Sequence, residues 1–423
     1  MIIVIIGAGA AGCFAAIETK RRNPDARVIV CEGGTRPLAK VAITGGGRCN
    51  LTNTFNRVSQ QAGGLKEVYP RGDKLMRRAL AAFSQKDCWE WFEREGVRLV
   101  AQDDECVFPQ SQDAMQIVRT LTRLMERYGV ELRLRHRVTR IEHLDAQYRI
   151  ALADAGITPI LADKVIVTAG GKPSARGFEM LAPLGLKIEA PVPSLFTFNI
   201  EGRWHTTLMG CVVENAQATL AGTKLKASGP LLLTHWGMSG PAILRLSSYA
   251  ARTLAENDYK GTLVVNWMGG MTDEAARDTL RQLAADNARK LVTTTPPSGL
   301  TTRFWQSLLV RYGIVTEAAL AGEESTIPRW AELGKKQFSR IVTALTADEH
   351  RITGRCAFKE EFVTCGGVSL SEINPNTMES RKHSGLYFAG EILDVDAVTG
   401  GFNLQAAWSM AYVAAQHILE MKK

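Results

Sequence analysis

The 423-residue sequence predicts an α/β fold: a Rossmann-like dinucleotide-binding domain built from both ends of the chain, with a β-rich segment and then a helical segment inserted between them. Three observations predict it. The chain opens with an apolar run, a G-x-G-x-x-G turn, a helical segment and a second apolar run that ends in an acid. Short alternating segments between about 195 and 265 have the rhythm of an antiparallel barrel or sandwich. Near the C-terminus an apolar strand ends in Gly-Glu, and paired glycines then open a final helix.

The opening is the most specific part. Ile2 to Ile6 is β-branched throughout and suits a fully buried parallel strand. Gly7, Ala8, Gly9, Ala10, Ala11 and Gly12 follow at once. Gly7 permits the tight turn, Gly9 lets backbone approach a pyrophosphate, and Gly12 lets the helix from Cys13 to Lys20 pack close to the strand. The second strand, Arg27 to Cys31, ends in Glu32 and Gly33, and a carboxylate there accepts hydrogen bonds from an adenosine ribose. The alternative, a chance glycine cluster in a loop, does not account for strand, glycines, helix, strand and acid falling in register.

Residues 35 to 56 are rich in glycine and asparagine, too polar for core and too specific for a linker. Residues 73 to 96 read as two amphipathic helices, with Trp89 and Phe92 as core packing rather than a stacking platform. Strands are expected at Val97–Val100 and Cys106–Pro109, a helix over 112–128 stopped by Gly129, and strands at Val130–Leu134, Thr139–Leu144 and Tyr148–Leu152. A buried strand from Asp163 then runs into Thr168, Ala169, Gly170 and Gly171. The character changes at Pro191 and Pro193. The expected organisation is a first dinucleotide-binding part over 1–194, an inserted β-barrel over 195–270, an inserted helical subdomain over 271–354 and a returning part over 355–423. The returning part holds strands at Glu361–Thr364 and Leu386–Ala389 and a helix from Asn403 to Met421.

Bulk properties exclude several classes. Hydrophobic residues make up 45% of the chain, enough for a large core and two or three domains. The eight cysteines contain no C-x-x-C pair, so they read as reduced thiols rather than a disulfide framework or zinc site. The apolar opening lacks a basic region before it, and no other segment approaches ~18 consecutive apolar residues, which points to a soluble cytoplasmic protein with no membrane and no metal partner. A net charge of +8 is compatible with a polyanionic partner such as RNA, or with an ordinary basic enzyme.

Four separated stretches have the composition of a cofactor wall. The first is the opening βαβ unit. The second runs from Lys40 to Asn53, where Gly45, Gly46 and Gly47 allow close backbone approach, Arg48 can neutralise a phosphate or a reduced flavin, and Asn50 and Asn53 supply amide donors. The third is Thr168, Ala169, Gly170 and Gly171 at the carboxyl end of a parallel strand. The fourth holds Gly390, Glu391 and Asp394, then Gly400, Gly401, Asn403, Leu404 and Gln405, where a helix N-terminus can hold the negative charge of a reduced ring. A C-terminal Gly-Glu strand added to a first-strand glycine motif points to FAD, and the lack of a second G-x-G-x-x-G leaves NAD(P)H a transient donor. Two residues are candidates for the acid. Cys49 follows Arg48, whose charge would lower a thiol pKa, against the alternative of a buried structural thiol. His235 lies in a loop-like Thr-His-Trp-Gly segment as an acid or substrate contact, against the alternative of a hydrogen bond within its own loop.

The blocks GAGAAG at 7–12, KVAITGGGRCNLTN at 40–53, VFPQS at 107–111, VTAGG at 167–171, LLLTHWGMSGPAIL at 231–244, FVTCGGVSL at 362–370 and GLYFAGEILDVDAVTGGFNLQ at 385–405 resemble those of the BaiN/RdsA (YhiN-like) family of FAD-dependent oxidoreductases. Departures are small: Met410 stands where many members have glycine, and TAGG replaces a more frequent ATGG. The resemblance implies a glutathione-reductase-type FAD-binding fold with an inserted β-barrel and helical subdomain. It carries over Gly7, Gly9, Gly12, Glu32, Lys40, Arg48, Val138, Gly170, Glu391, Leu404 and Gln405 as FAD contacts, with the Val138 backbone at the adenine. It also implies reduction of an activated C=C bond: NAD(P)H reduces the flavin, hydride passes to the electron-poor carbon, and an acid protonates its neighbour. One branch forms dihydrouridine in ribosomal RNA and another reduces bile-acid enones. The expected activity is the ribosomal RNA reaction, with a small-molecule enone reductase and a non-catalytic FAD-containing RNA-binding or sensor protein as alternatives.

Overall fold

The computed structural model of the chain describes residues 1–172, 174–323, 327–356 and 363–419. The start of the strand expected at Glu361–Thr364 and the end of the helix expected to reach Met421 lie outside them. The chain divides into two compact units, Met1–Ser194 with Val363–Lys423, and Leu195–Phe362.

Among the described residues, the first unit is built on a parallel sheet of strands in the order Leu386–Phe388, Lys164–Val167, Ile2–Ile6, Arg27–Cys31, Glu131–Arg133. Ile3, Val4, Ile5, Val165, Ile166 and Val167 are all fully buried, which is why these strands read as unbroken apolar runs rather than alternating ones. Burying each such side chain contributes about 1.5–3 kcal/mol. Register fixes the functional edge. Ile6 pairs with both Cys31 and Val167, and Val167 pairs with Phe388. Gly7, Glu32, Thr168 and Ala389 therefore leave the sheet side by side at its carboxyl edge, where open α/β sheets bind ligands.

The opening helix spans Ala10–Arg22, longer than the sequence predicts at both ends, and packs against the closing helix Phe402–His417. Phe14 meets Trp408 at 5.5 Å and Trp91 at 4.7 Å. The two amphipathic helices form as predicted at Asp73–Ala82 and Gln85–Arg94, but the core aromatics of the second are Trp91 and Phe92. Trp89 is half-buried, because the apolar stripe of this helix falls on Cys88, Trp91 and Phe92. Strand Ile188–Ser194 pairs antiparallel with Val363–Val368, and the ladder is irregular between Glu189 and Val192, where Pro191 has no N–H to give.

The second unit contains a closed barrel of strands Phe198–Ile200, Gly237–Ser239, Lys226–Leu233, Val212–Leu220, Gly261–Asn266 and Asp348–Arg355. Two expectations are corrected here. Gly237–Ser239, read as loop, is a strand, and helix Pro241–Tyr249 follows it. Asp348–Arg355, assigned mostly to the helical segment, is the strand that closes the barrel. It escapes a hydropathy reading because the residues it turns inward are Asp348 and His350 as well as Ile352. Among the described residues of 271–346 the longest helices are Asp273–Asp286, Thr302–Arg311 and Lys335–Thr346, joined by turns and loops. No helix among the described residues is long and apolar enough to cross a membrane.

Candidate active site

The glycine turn is tied to the sheet edge by backbone and by one side chain. The Gly7 N–H donates to Cys31 O at 2.8 Å. The Thr168 hydroxyl reaches Ile6 O at 3.0 Å and Gly7 O at 2.9 Å. A Cβ on Gly12 would lie 1.9 Å from Gly7 O, so the helix is held against the turn at a distance no side chain tolerates. A Cβ on Gly9 would meet nothing within 4 Å. The two glycines do opposite things: one closes protein on protein, the other leaves a face open.

Glu32 stands across from that turn. One carboxylate oxygen accepts the Ala8 N–H at 2.8 Å and the other accepts the Gly34 N–H at 2.7 Å. Each keeps a further lone pair for a ribose hydroxyl. Gly33 abuts the Arg137 side chain, and the His136 N–H donates to Glu32 O, which brings Arg137 and the buried Val138 beside the acid. Val138, expected at the adenine, thus stands next to Glu32, expected at the ribose.

On the other flank, Glu391 accepts the Thr364 N–H at 2.7 Å and pairs with Lys40 at 3.2 Å. A Cβ on Gly171 would fall 2.7 Å from the Glu391 carboxyl, whereas one on Gly170 would meet nothing within 4 Å. Ala169 O accepts from Lys172 Nζ at 2.8 Å. Burial, first, and then Lys40 push the Lys172 ammonium below its usual range, while Glu32 and Glu391 oppose them. Lys172 escapes the motif reading. The signal for Lys172 is a lone cation directly after a strand-end glycine pair.

Lys40 to Asn53 meets the closing loop. Gly45, Gly46 and Gly47 are in sequence at φ +58°, +67° and +81°, a left-handed run that only glycine sustains, and the faces of Gly46 and Gly47 are open. Arg48 is exposed, with its guanidinium 4.4 Å over the Phe108 ring. The amides of Asn50 and Asn53 are engaged with the protein's own backbone. With its amide oriented to satisfy both contacts, Asn50 donates to Thr52 O and accepts from Gly401 N, each at 3.1 Å. Asn53 Nδ2 donates to Gly400 O at 3.1 Å. Gln405 and Asn403 are likewise turned inward. Gln405 is fully buried and accepts from the Thr52 hydroxyl at 2.5 Å, and Asn403 binds Ala397. Asp394 accepts the Gly366 N–H at 3.0 Å. Such amides sit beside glycine loops because they lock the loops, a role that composition does not separate from ligand contact. Leu404 is half-buried in the first turn of the closing helix.

Both helices that end at this edge begin without a side-chain cap: Gly9 and Gly401 hold the cap positions, and no acid lies in either first turn. Ser84, Asp113, Thr272 and Thr301 cap helices elsewhere with their own oxygens. First-turn N–H groups have no intrahelical partner, so two sets of amide donors are left for an anionic group. Open faces at Gly9, Gly46, Gly47 and Gly170, two uncapped helices and the cations Lys40 and Lys172 form a cradle that fits FAD.

The two candidate acids part company. Cys49 is fully buried at φ +63°, and burial pushes its thiol up to about 12, contrary to the lowering expected from Arg48. The guanidinium lies on Phe108 and not on the sulfur. His235 is exposed at the turn between Lys226–Leu233 and Gly237–Ser239, its ring 4.3 Å from that of Trp236. Among the described residues, no group of three or more His, Cys, Asp or Glu could hold a metal ion, and all eight cysteines are free.

The chain is 28% identical to a 3-dehydro-bile acid delta(4,6)-reductase of Clostridium scindens, with 99% of each chain covered. It is also 28% identical to a ribosomal RNA dihydrouridine synthase of Escherichia coli, over 99% of this chain and 98% of the relative. Among solved structures, 3-ketosteroid delta1-dehydrogenase from Sterolibacterium denitrificans matches over 98% of each chain at 12% identity and a TM-score of 0.48. The model of the HI0933-like protein Rossmann domain family matches residues 1–417, and the chain belongs to that family.

Proposed function

We propose that the chain is an FAD-dependent oxidoreductase that reduces an activated C=C bond with electrons from NAD(P)H, and that its substrate is a uracil in ribosomal RNA. The observation that carries the cofactor is the single sheet edge at which Gly7, Glu32, Thr168 and Ala389 emerge between two uncapped helix N-termini. Support for the reaction class comes from the two named relatives, matched end to end, since a delta(4,6)-reductase and a dihydrouridine synthase each add two electrons and two protons across C=C. The basic balance of the chain supports a polyanionic substrate.

Bound FAD supplies the hydride. The protein does the rest. First-turn amides after Gly9 hold the diphosphate, Glu32 takes the ribose, and Lys40 and Lys172 balance charge at the groove. Amides of Phe402, Asn403 and Leu404, at the uncapped start of the closing helix, would stabilise the charge that bound FAD gains on reduction. The second proton comes from a side chain or from solvent. His235 presents a ring N–H at the protein surface, whereas Cys49 has no exposed atom, so His235 is the proposed acid.

Dihydrouridine measured in ribosomal RNA from cells with and without the gene tests this reading. An unchanged level rejects it. The second reading, a small-molecule enone reductase, is favoured by the equal identity to the bile-acid enzyme. It predicts NADH or NADPH oxidation driven by a steroid enone and not by RNA.

A further inference from the structure

We propose that the helical part of the second unit carries a docking surface for the phosphate backbone of RNA. The proposal rests on the ribosomal RNA reading and deepens it by naming a surface that holds the polymer.

The surface is assembled by pairing. Val292 N donates to Pro328 O at 3.0 Å, Trp330 N to Lys290 O at 3.1 Å and Ala331 N to Ala288 O at 3.1 Å. This brings the exposed side chains of Arg289, Lys290 and Arg329 onto adjacent strands of chain. Helix Lys335–Thr346 starts a few residues later and packs along helix Asp273–Asp286. Its exposed positions are Lys335, Lys336, Ser339, Arg340 and Thr343, at the i, i+3 and i, i+4 spacing of one face, while Ile341, Val342 and Leu345 are buried. Arg277 crosses from the neighbouring helix to Ser339 Oγ at 3.4 Å. The face therefore presents cations and hydroxyls, with no acid anywhere in residues 335–346.

Charge pairing is lopsided here. Among the described residues, Arg289, Lys290, Arg329, Lys335, Lys336 and Arg340 form no ion pair. Of the nearby acids, Asp278 pairs with Arg281 at 3.0 Å, Asp286 accepts from the Gln282 amide at 2.9 Å and Glu332 accepts the Arg329 N–H at 2.8 Å, while Asp273 and Glu274 stand in the first turn of the neighbouring helix. Helix stability does not explain the pattern. Lysines in a first turn oppose the helix dipole and so destabilise the helix. Nor does membrane insertion, because the exposed face of this helix lacks the apolar stripe that an interfacial helix buries. Exposed Arg, Lys and hydroxyl donors on a helix that carries no acid of its own match the acceptors of a phosphate backbone, which position a polymer without reading its sequence.

The test uses the full-length, FAD-loaded protein and a labelled ribosomal RNA transcript, titrated at several KCl concentrations. The variant Lys335→Gln/Lys336→Gln/Arg340→Gln is compared with Lys224→Gln/Lys226→Gln/Lys260→Gln, which removes equal charge from exposed positions elsewhere in the same unit. The first variant should lose about tenfold or more in affinity, and its slope of log K against log salt should be shallower by about two. The second should stay within about twofold, and both should keep wild-type flavin content and flavin reduction by NAD(P)H. Equal binding by the first variant and wild type overturns the proposal, as does an equal loss in the second. Wild-type binding to phosphatidylglycerol vesicles but not to the transcript overturns it too. Stripe-dependent transcript binding with no gene-dependent dihydrouridine upholds the docking surface and rejects only the proposed reaction.

Discussion

The side-chain amide of Asn403 holds both backbone groups of Ala397: Nδ2 donates to Ala397 O at 3.0 Å and Oδ1 accepts from Ala397 N at 2.9 Å. This pair closes the loop that carries Gly400 and Gly401, so the first turn of the closing helix is fixed before any cofactor arrives. Asn403→Asp removes the donor and sets a carboxylate against a carbonyl, at a cost of about 1–3 kcal/mol. Thermal unfolding of the flavin-free protein should register that loss, and flavin retained after dialysis should fall with it.

The glycines of the opening turn should separate stability from cofactor binding. Gly12→Ala forces a Cβ against backbone at 1.9 Å, so the expected result is little folded protein. Gly9→Ala places a Cβ in open space at a φ of −83°, which any residue adopts. Its flavin-free form should melt within about 0.5 kcal/mol of wild type, yet bind FAD measurably more weakly. Equal FAD affinity in Gly9→Ala would falsify the placement of the diphosphate.

Glu32→Ala removes two charge-assisted acceptors for backbone N–H groups, together with the proposed ribose contact. With about 1.5–3 kcal/mol for such a bond, FAD affinity should drop at least tenfold. Flavin fluorescence during titration reads it directly.

Cys49 and His235 should respond in opposite ways. Cys49→Ser leaves the surface unchanged and should alter substrate reduction less than about threefold, with an unmoved pH profile, because the thiol is buried. His235→Asn should slow substrate reduction by about 10²-fold or more while leaving the rate of flavin reduction by NAD(P)H intact. A slow flavin-reduction step in His235→Asn would assign the ring to the nicotinamide instead.

The barrel carries its own pH dependence. Burial holds the His350 imidazole below its usual range, opposed by the Asp348 carboxylate that it meets at 2.8 Å, and burial lowers His205 as well. With a folded pKa below the unfolded value of about 6.5, the unfolded chain binds more protons in the mildly acidic range. Stability is therefore complete above that value and declines as pH falls through the folded pKa. The thermal midpoint should drop from about pH 7 to about pH 5, and the drop should be shallower in His350→Asn. The slope is the readout, since the substitution also loses the bond to Asp348. A variant slope as steep as wild type would place the titrating group elsewhere.

What the sequence made legible follows from where polarity and packing agree. Ile2–Ile6, Arg27–Cys31 and the glycine turn are readable because a doubly covered strand must be apolar at every position and Gly12 has no room for a Cβ. Asp348–Arg355 was hidden because it points an Asp and a His inward, so that its alternation mimics a solvated face. Asn50, Asn53, Asn403 and Gln405 were legible as belonging to the site, but not for what they do there. An amide that binds a ligand and one that clamps a glycine loop have the same composition and spacing, and only the partners at Gly400, Gly401, Ala397 and Thr52 distinguish them. Cys49 shows the limit of neighbour-based reasoning: Arg48 precedes it in sequence, yet burial governs its thiol.

The sheet edge also sets a schedule for synthesis. Lys164–Val167 completes its pairing with Ile2–Ile6 early, but its other neighbour, Leu386–Phe388, and the closing helix are translated last. At ~5–20 residues per second, the nascent chain spends about ten to forty seconds with an open flank on the central sheet, a bare apolar edge on Lys164–Val167 and half a cofactor groove. FAD capture therefore waits for Leu386–Phe388 and the closing helix, and the open edge must be protected by the chain itself until they arrive.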